Sequence, residues 1–397
     1  MYDFDKEIDR RGTGALKTDG LKELYGRSDL MAMWVADMDF ETPDFVMDAV
    51  KKRMEHPILG YTKEPAGYGE CVMEWMERQH GYRVEKEWLT YIPGVVKGIG
   101  LAINFFTKPG EGVMIQPPVY HPFRSVTAGN HRRVVENPLK ERTDGGYEMD
   151  WEGMERAAEE GCRMLILSSP HNPGGVVWSA DTLGRVARIA KRTGMVVVSD
   201  EIHADMPLFG ARHCVFTSVS EEAAECGVVF GAPSKTFNMA GVVSSYCIVP
   251  NEALRKGFYA WLGANEQNVP NLFAPIATMA AYEKGDEWRR EMLGYVEGNV
   301  RLVEDYCRER IPGVRAWRPK ASFLVWLDCR GLGLDHEGLV RLFVEDAGLA
   351  LNDGEMFGPQ GAGFMRMNVG CPRNVVRKAM DRLETAVKNL KGGDNKV

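Results

Sequence analysis

The 397-residue sequence is short of several features that would fix its class at once. It has no basic excess: 49 Lys plus Arg stand against 56 Asp plus Glu, a formal charge of −7, with a pI near 5.8. A general nucleic-acid binder needs a basic footprint, so that class is disfavoured. It has no long apolar run. The buried-looking stretches, such as residues 195–198, are strand-sized, far below the roughly 20 residues that cross a bilayer. The start, MYDFDKE, lacks a basic stretch followed by an apolar core and does not read as a secretory leader. The eight cysteines include no C-x-x-C pair, and the eight histidines no H-x-x-x-H or H-E-x-x-H spacing. Reduced structural thiols, a cytoplasmic setting and no metal centre are therefore expected. Asp37-Met38-Asp39 reads as two exposed turn carboxylates rather than a metal site. What is present is ordinary for a folded chain, 44% hydrophobic and 26% charged. Glycine is the exception: 43 residues, about 11% against about 7% on average, which implies many tight turns or close backbone approaches.

Length alone suggests two to three units at roughly 150 residues each. Short apolar runs at 89–92, 113–116, 164–167, 195–199, 228–231 and 244–249 predict buried strands. Helical spacing over 68–80, after Gly94 and over 181–192 separates several of them. Thr42-Pro43-Asp44 predicts an N-cap, a proline at the first helical position and an acidic first turn. Buried strands alternating with helices predict an α/β fold with a largely parallel sheet covered on both faces. After about residue 286 the pattern changes to a long charged helix to about 310, strands at 322–327 and 364–369, and helices near 336–347 and at the end. The expected division is a large domain, 48–286, and a smaller α/β domain built from both chain ends, 1–47 and 287–397. The tail 391–397 reads as disordered.

Three polar clusters follow predicted strands, at the carboxyl ends where open α/β sheets place ligands. They are Ser168-Ser169-Pro170-His171-Asn172-Pro173-Gly174-Gly175, then Asp200-Glu201-Ile202-His203, then Ser234-Lys235-Thr236. Each alone is weak, since N-P-G is usually a turn and a lysine after a strand is usually solvated. Gly94 to Gly100 is glycine-rich, but it is not the G-x-G-x-x-G of a dinucleotide site. The order Asn172, Asp200, Lys235, joined by Tyr120 and Arg366, resembles the pyridoxal 5'-phosphate (PLP) enzymes of fold type I. That resemblance implies a PLP-dependent transferase fold with a mostly parallel seven-stranded sheet between helices. It also implies the roles. Lys235 forms the imine to the cofactor and acts as base, and a lysine of ordinary pKa about 10.4 must be depressed to do so. Asp200 keeps the ring nitrogen protonated. Asn172 donates to the ring oxygen, and Tyr120 stacks on the ring. The backbone N–H groups of Val95 and Val96, at a helix N-terminus, cradle the phosphate. Ser234 adds a hydroxyl, and Arg366 suits a bidentate grip on the substrate carboxylate.

Within fold type I the chain looks most like the cystathionine β-lyase and C–S lyase branch of the class I/II aminotransferase superfamily. Met33-Trp34-Val35-Ala36-Asp37-Met38-Asp39-Phe40, Pro118-Val119-Tyr120-His121-Pro122-Phe123 and Ser234-Lys235-Thr236-Phe237-Asn238-Met239-Ala240-Gly241 follow that branch. So do Ala321-Ser322-Phe323-Leu324-Val325-Trp326-Leu327-Asp328 and Arg366-Met367-Asn368-Val369-Gly370. The resemblance spans about residues 4–390. It implies a homodimer in which Tyr61, in Gly60-Tyr61-Thr62, reaches the neighbouring subunit's cofactor phosphate, and it adds Ala36 to the substrate-binding residues. Two departures from aspartate aminotransferases favour the lyase branch: His203 stands where they carry a tyrosine, and Val243 where they carry a phosphate-binding arginine. The expected reaction is α,β-elimination of cystathionine or a related S-substituted cysteine to a thiol, pyruvate and ammonia. Transamination is the alternative on the same residues. A non-catalytic regulatory protein on this fold is a third reading, and no appended DNA-binding segment is visible for it.

Overall fold

A computed structural model describes residues 2–393, the last three without side-chain detail. Seven strands form the central sheet: β1 (Leu89–Ile92), β2 (Gly112–Ile115), β3 (Arg133–Glu136), β4 (Cys162–Ser168), β5 (Val196–Asp200), β6 (Gly227–Gly231) and β7 (Ser245–Ile248). Their spatial order is β1-β7-β6-β5-β4-β2-β3. β7 is antiparallel to both its neighbours, and the other pairings are parallel. The central strands β2, β4, β5 and β6 are largely apolar because both faces are covered, whereas the edge strand β3 carries the exposed Arg133 and Glu136. Successive side chains alternate between two separate cores. Val113, Ile115, Met164, Ile166, Val198, Val228 and Phe230 face one. Met114, Leu165, Leu167, Val197 and Val229 face the other. That period of two is the pleat itself.

The longer helices include α1 (Asp44–Met54), α2 (Tyr68–His80), α3 (Val95–Phe106), α4 (Ala180–Thr193), α5 (Ala274–Lys284), α6 (Asp286–Glu309) and α7 (Arg373–Gly393). The apolar α3 packs under β1 and the middle of the sheet. The long α6 leads into a four-stranded antiparallel sheet of β8 (Arg315–Trp317), β9 (Leu324–Asp328), β10 (Asn352–Asp353) and β11 (Phe364–Asn368), ordered β8-β9-β11-β10. The chain start joins this C-terminal part, since Met31 and Ala32 pair in parallel with Leu349 and Ala350. α1 packs on α5, and the expected boundary at 47/48 falls inside it.

Several local expectations are corrected. Thr42 does not cap α1. Pro43 is the capping residue, and the Thr42 hydroxyl donates instead to the Asn238 carbonyl at 2.8 Å. The strand expected from Ser322 begins at Leu324, because Ser322 holds a left-handed φ of 75° that breaks the ladder. The helix near 336–347 is α-helical only over His336–Arg341 and widens to a π-helical turn over Leu342–Asp346. Residues 391–393 of the expected disordered tail continue α7, and 394–397 lie outside the described residues. Asp37 and Asp39 are not free turn carboxylates. Arg10 bridges both, at 2.7 and 2.9 Å, and the buried Lys17 pairs with Asp39 at 2.7 Å. All eight cysteines are unpaired and seven are buried.

Candidate active site

β4, β5 and β6 are neighbours in the sheet, so their carboxyl ends bring three loops to one place. Ser168 and Asp200 are register partners across β4 and β5, and Asp200 and Phe230 across β5 and β6. Pro93, Gly94, Val95, Val96, Lys97, Tyr120, Ser168, Asn172, Asp200, Ile202, His203, Lys235 and Val243 line a single cavity at these ends. Val95, Val96, Tyr120, Asn172, Asp200, His203 and Lys235 were expected there from sequence. Ser168 and Ile202 lay within the expected clusters and Lys97 just after the expected phosphate cradle, but none had been given a role.

The Lys235 amine donates to the Ala36 carbonyl at 2.6 Å. Burial pulls its pKa down from 10.5 to about 8, with Asp37 opposing the shift. Ala36 thus reaches the site through its main chain. The 33–40 segment is pinned on both sides by asparagines. The Asn368 amide donates to the Val35 and Asp37 carbonyls at 2.5 and 2.6 Å. Asn238, three residues after the lysine, accepts from Met38 N–H at 3.0 Å and donates to the Met38 and Phe40 carbonyls. Asn238 adopts a left-handed φ of 51°, which asparagine tolerates better than most residues.

Asp200 is buried, and among the described residues its carboxylate accepts one hydrogen bond, from Ile202 N–H at 3.1 Å. Burial raises its pKa from 3.8 to about 7. His203 is buried and held neutral, its pKa pushed down to about 3 by burial and then by the charges of Lys235 and Arg366. Its Nδ1 has no partner. The loop after β4 is stapled in place. Ser168 Oγ accepts from Asn172 N–H at 3.1 Å, and Trp178 Nε1 donates to the Ser168 carbonyl at 2.9 Å. Gly175 in that loop has φ +64°, and a Cβ there would come within 2.7 Å of the Pro319 backbone, so only glycine fits. Tyr120 N–H donates to the Asn172 carbonyl at 3.1 Å, which sets the aromatic wall of the cavity. Burial raises the Tyr120 hydroxyl pKa.

α3 opens at this cavity. Its cap, Gly94, has φ +108°, and the first N–H of the helix ladder to find an acceptor is Gly98, which bonds Gly94. The N–H groups of Val95, Val96 and Lys97 are therefore left for a ligand. Ser234 is buried beside the cavity, but its hydroxyl donates to the Ser244 carbonyl at 3.2 Å, leaving only its lone pairs and a rotation to serve an anion.

Arg366, in β11, stands behind Asn172. Its guanidinium donates to Asn172 Oδ1 at 3.0 Å, the Trp34 carbonyl at 2.9 Å and Asn352 Oδ1 at 2.5 Å, and lies over the Phe357 ring. It is 4% exposed, has no carboxylate partner among the described residues, and its Nε is unpaired. Burial lowers its pKa to about 10. A buried cation with neutral partners and a free donor has the chemistry to receive an anion. Tyr61 is the one expected site residue far from this arrangement. It is fully exposed, beside the exposed Ile58 and Leu59, and does not line its own chain's cavity.

The doubly covered sheet, the buried lysine after one strand and the carboxylate after its neighbour define a class of protein. Residues 28–383 match the family Aminotransferase class I and II, and the chain belongs to it. Among its relatives, the cystathionine beta-lyase PatB of Bacillus subtilis (strain 168) is 39% identical over 385 residues, 97% of this chain and 99% of that protein. The crystal structure of cystalysin from Treponema denticola, which contains a pyridoxal 5'-phosphate cofactor, superposes with a TM-score of 0.94 at 32% identity, covering 98% of this chain and 100% of that one. The PLP-bound C-S lyase from Staphylococcus hominis gives 0.90 at 31% identity, covering 98% of each.

Proposed function

We propose that the protein is a PLP-dependent carbon–sulfur β-lyase acting on cystathionine or a related S-substituted cysteine. The observation that carries this reading is Arg366, a buried guanidinium without a carboxylate, hydrogen-bonded to a residue of the cavity that also holds a lysine amine depressed to about 8. The full-length similarity to proteins named as C–S and cystathionine lyases supports the substrate class.

The residues present fit the cofactor. Free N–H groups on α3 suit a phosphate, the singly bonded Asp200 suits a ring N–H⁺, and the unpartnered His203 Nδ1 and the Asn172 amide suit the ring oxygen. Tyr120 and Ile202 supply an aromatic and an aliphatic wall. Bound PLP supplies a sink for the electron pair left when the substrate's α-proton departs. Lys235 holds the cofactor when no substrate is present. Once displaced, its Nζ takes the α-proton, and burial has already made that amine basic in the right range. Asp200 holds a proton at the ring nitrogen. Arg366 and Asn172 orient the substrate carboxylate, with the Ala36 main chain beside it. The thiolate then leaves Cβ with the C–S electron pair and takes up a proton, and the aminoacrylate that remains is hydrolysed by water to pyruvate and ammonia.

The exposed Ile58, Leu59 and Tyr61 segment supports a homodimer in which the partner chain's copy of this segment completes the phosphate site. The unpaired cysteines support a reducing, cytoplasmic setting. The division into a 48–286 cofactor domain and a small domain from 1–47 and 287–397 remains our proposal.

The decisive assay offers cystathionine with no 2-oxo acid. Pyruvate and free thiol appearing in equal amounts is the expected result, whereas turnover that requires a 2-oxo acid would make the enzyme a transaminase. In the same assay Arg366→Ala should raise KM by about 10²-fold, from the loss of charge-assisted hydrogen bonds worth about 1.5–3 kcal/mol each, with a smaller change in kcat. An unchanged KM would remove Arg366 from carboxylate binding.

A further inference from the structure

The phosphate end of the cavity is poor in positive charge. Of the lining residues, only Lys97 and Lys235 carry cationic groups. Lys235 is committed to the Ala36 carbonyl and to the chemistry. The position facing Gly94 is filled by an apolar side chain, since a Cβ on Gly94 would lie 3.7 Å from Val243 Cγ1. A phosphate monoester carries about −1.5 to −2 charges at neutral pH, and a helix N-terminus offers the equivalent of only about half a positive charge. The charge balance leaves one group unassigned. Lys97 is the third residue of α3, on the first turn. A cation there opposes the helix dipole and is unfavourable unless an anion sits at the same end. Its exposed side chain makes no hydrogen bond or ion pair among the described residues. Side chains at the third helical position commonly reach back over the N-terminus, as in a capping box.

We propose that the Lys97 ammonium binds the cofactor phosphate, supplying the counter-charge that the helix end and Val243 do not. The inference rests on the PLP reading above. It deepens that reading by naming a residue that selects the phosphorylated cofactor over the unphosphorylated one.

The test uses the full-length enzyme, wild type and Lys97→Ala, stripped of cofactor and titrated with PLP or with pyridoxal while cofactor absorbance is followed. The expected result is a Kd for PLP raised about tenfold in the variant, one charge-assisted contact's worth. The Kd for pyridoxal should not change, and inorganic phosphate should compete with PLP less well in the variant. Two results would overturn the assignment. One is an unchanged PLP affinity in the variant while the wild type binds PLP. The other is an equal loss of affinity for PLP and pyridoxal, the mark of a merely structural lysine. If the wild-type chain itself does not bind PLP, the cofactor reading falls and this inference falls with it.

Discussion

Lys235→Ala should abolish pyruvate and thiol release, with kcat reduced about 10³-fold or more, the span of a lost general base. The structure predicts that this loss is chemical and not a collapse of the fold. Among the described residues the Lys235 amine makes one hydrogen bond, to the Ala36 carbonyl, and removing it leaves one acceptor unpaired at a cost of about 1–3 kcal/mol. The melting temperature of the variant should therefore stay within a few degrees of wild type. Lys235→Arg separates charge from chemistry. It keeps the positive charge near Asp37 and Asp200, but a guanidinium does not give up its proton in proteins, so it should be as inactive as the alanine variant. The wild-type amine differs because burial has moved it into a useful range. At pH 8 about half of it is neutral, against about 0.3% for a lysine at 10.5. A Lys235→Ala enzyme with normal turnover would overturn the assignment.

The middle of the sheet was legible because its strands are buried on both faces, whereas the edge strand β3, with exposed Arg133 and Glu136, gave no apolar run. Continuous apolar runs announced β4, β5, β6 and β7 within one or two residues, and the polar clusters that followed them marked the site. The residues that hold those clusters in place were harder to see, because their partners are distant in sequence. Asn238 binds a segment about 200 residues away, and Asn368 one about 330 away. Neither contact has a local periodic signal. Thr42 shows the same thing in reverse: its local pattern favours a cap, but the Asn238 carbonyl competes for its hydroxyl and wins. The ion pairs of Asp37 and Asp39 with Arg10 and Lys17 depend on how the N-terminal segment folds back, which composition does not report. Lys97 and Ile202 could have been found. Each lies two residues beyond a residue already singled out, and a helix N-terminus or a strand end exposes more than one residue to the same cavity.

Asp200→Asn should lower kcat about 10²- to 10³-fold, the range seen when one preorganised electrostatic group is removed, while cofactor stoichiometry is retained. The reason lies in how three neighbouring carboxylates are used. Glu201 accepts from His213 Nε2 at 2.6 Å, Phe216 N–H at 2.8 Å and the Ser199 hydroxyl at 2.9 Å. Asp205 accepts from Trp75 Nε1 at 3.0 Å and the Thr236 hydroxyl at 3.2 Å, and pairs with His80 at 2.8 Å. Both are satisfied by the protein, so their replacement should appear mainly as a lower melting temperature. Asp200 has only Ile202 N–H, and it faces the cavity. An underbonded buried carboxylate is costly, and its pKa near 7 records that cost. A ring N–H⁺ placed against it would remove the penalty and fix the charge on both partners. Asparagine keeps the size and the bond from Ile202 but cannot hold a proton on the ring nitrogen. The variant should therefore bind PLP and substrate while failing at proton abstraction, so that KM changes little and the primary isotope effect of an α-deuterated substrate grows. If kcat survives the substitution, Asp200 is a structural carboxylate like its two neighbours, and the ring nitrogen must find its proton elsewhere.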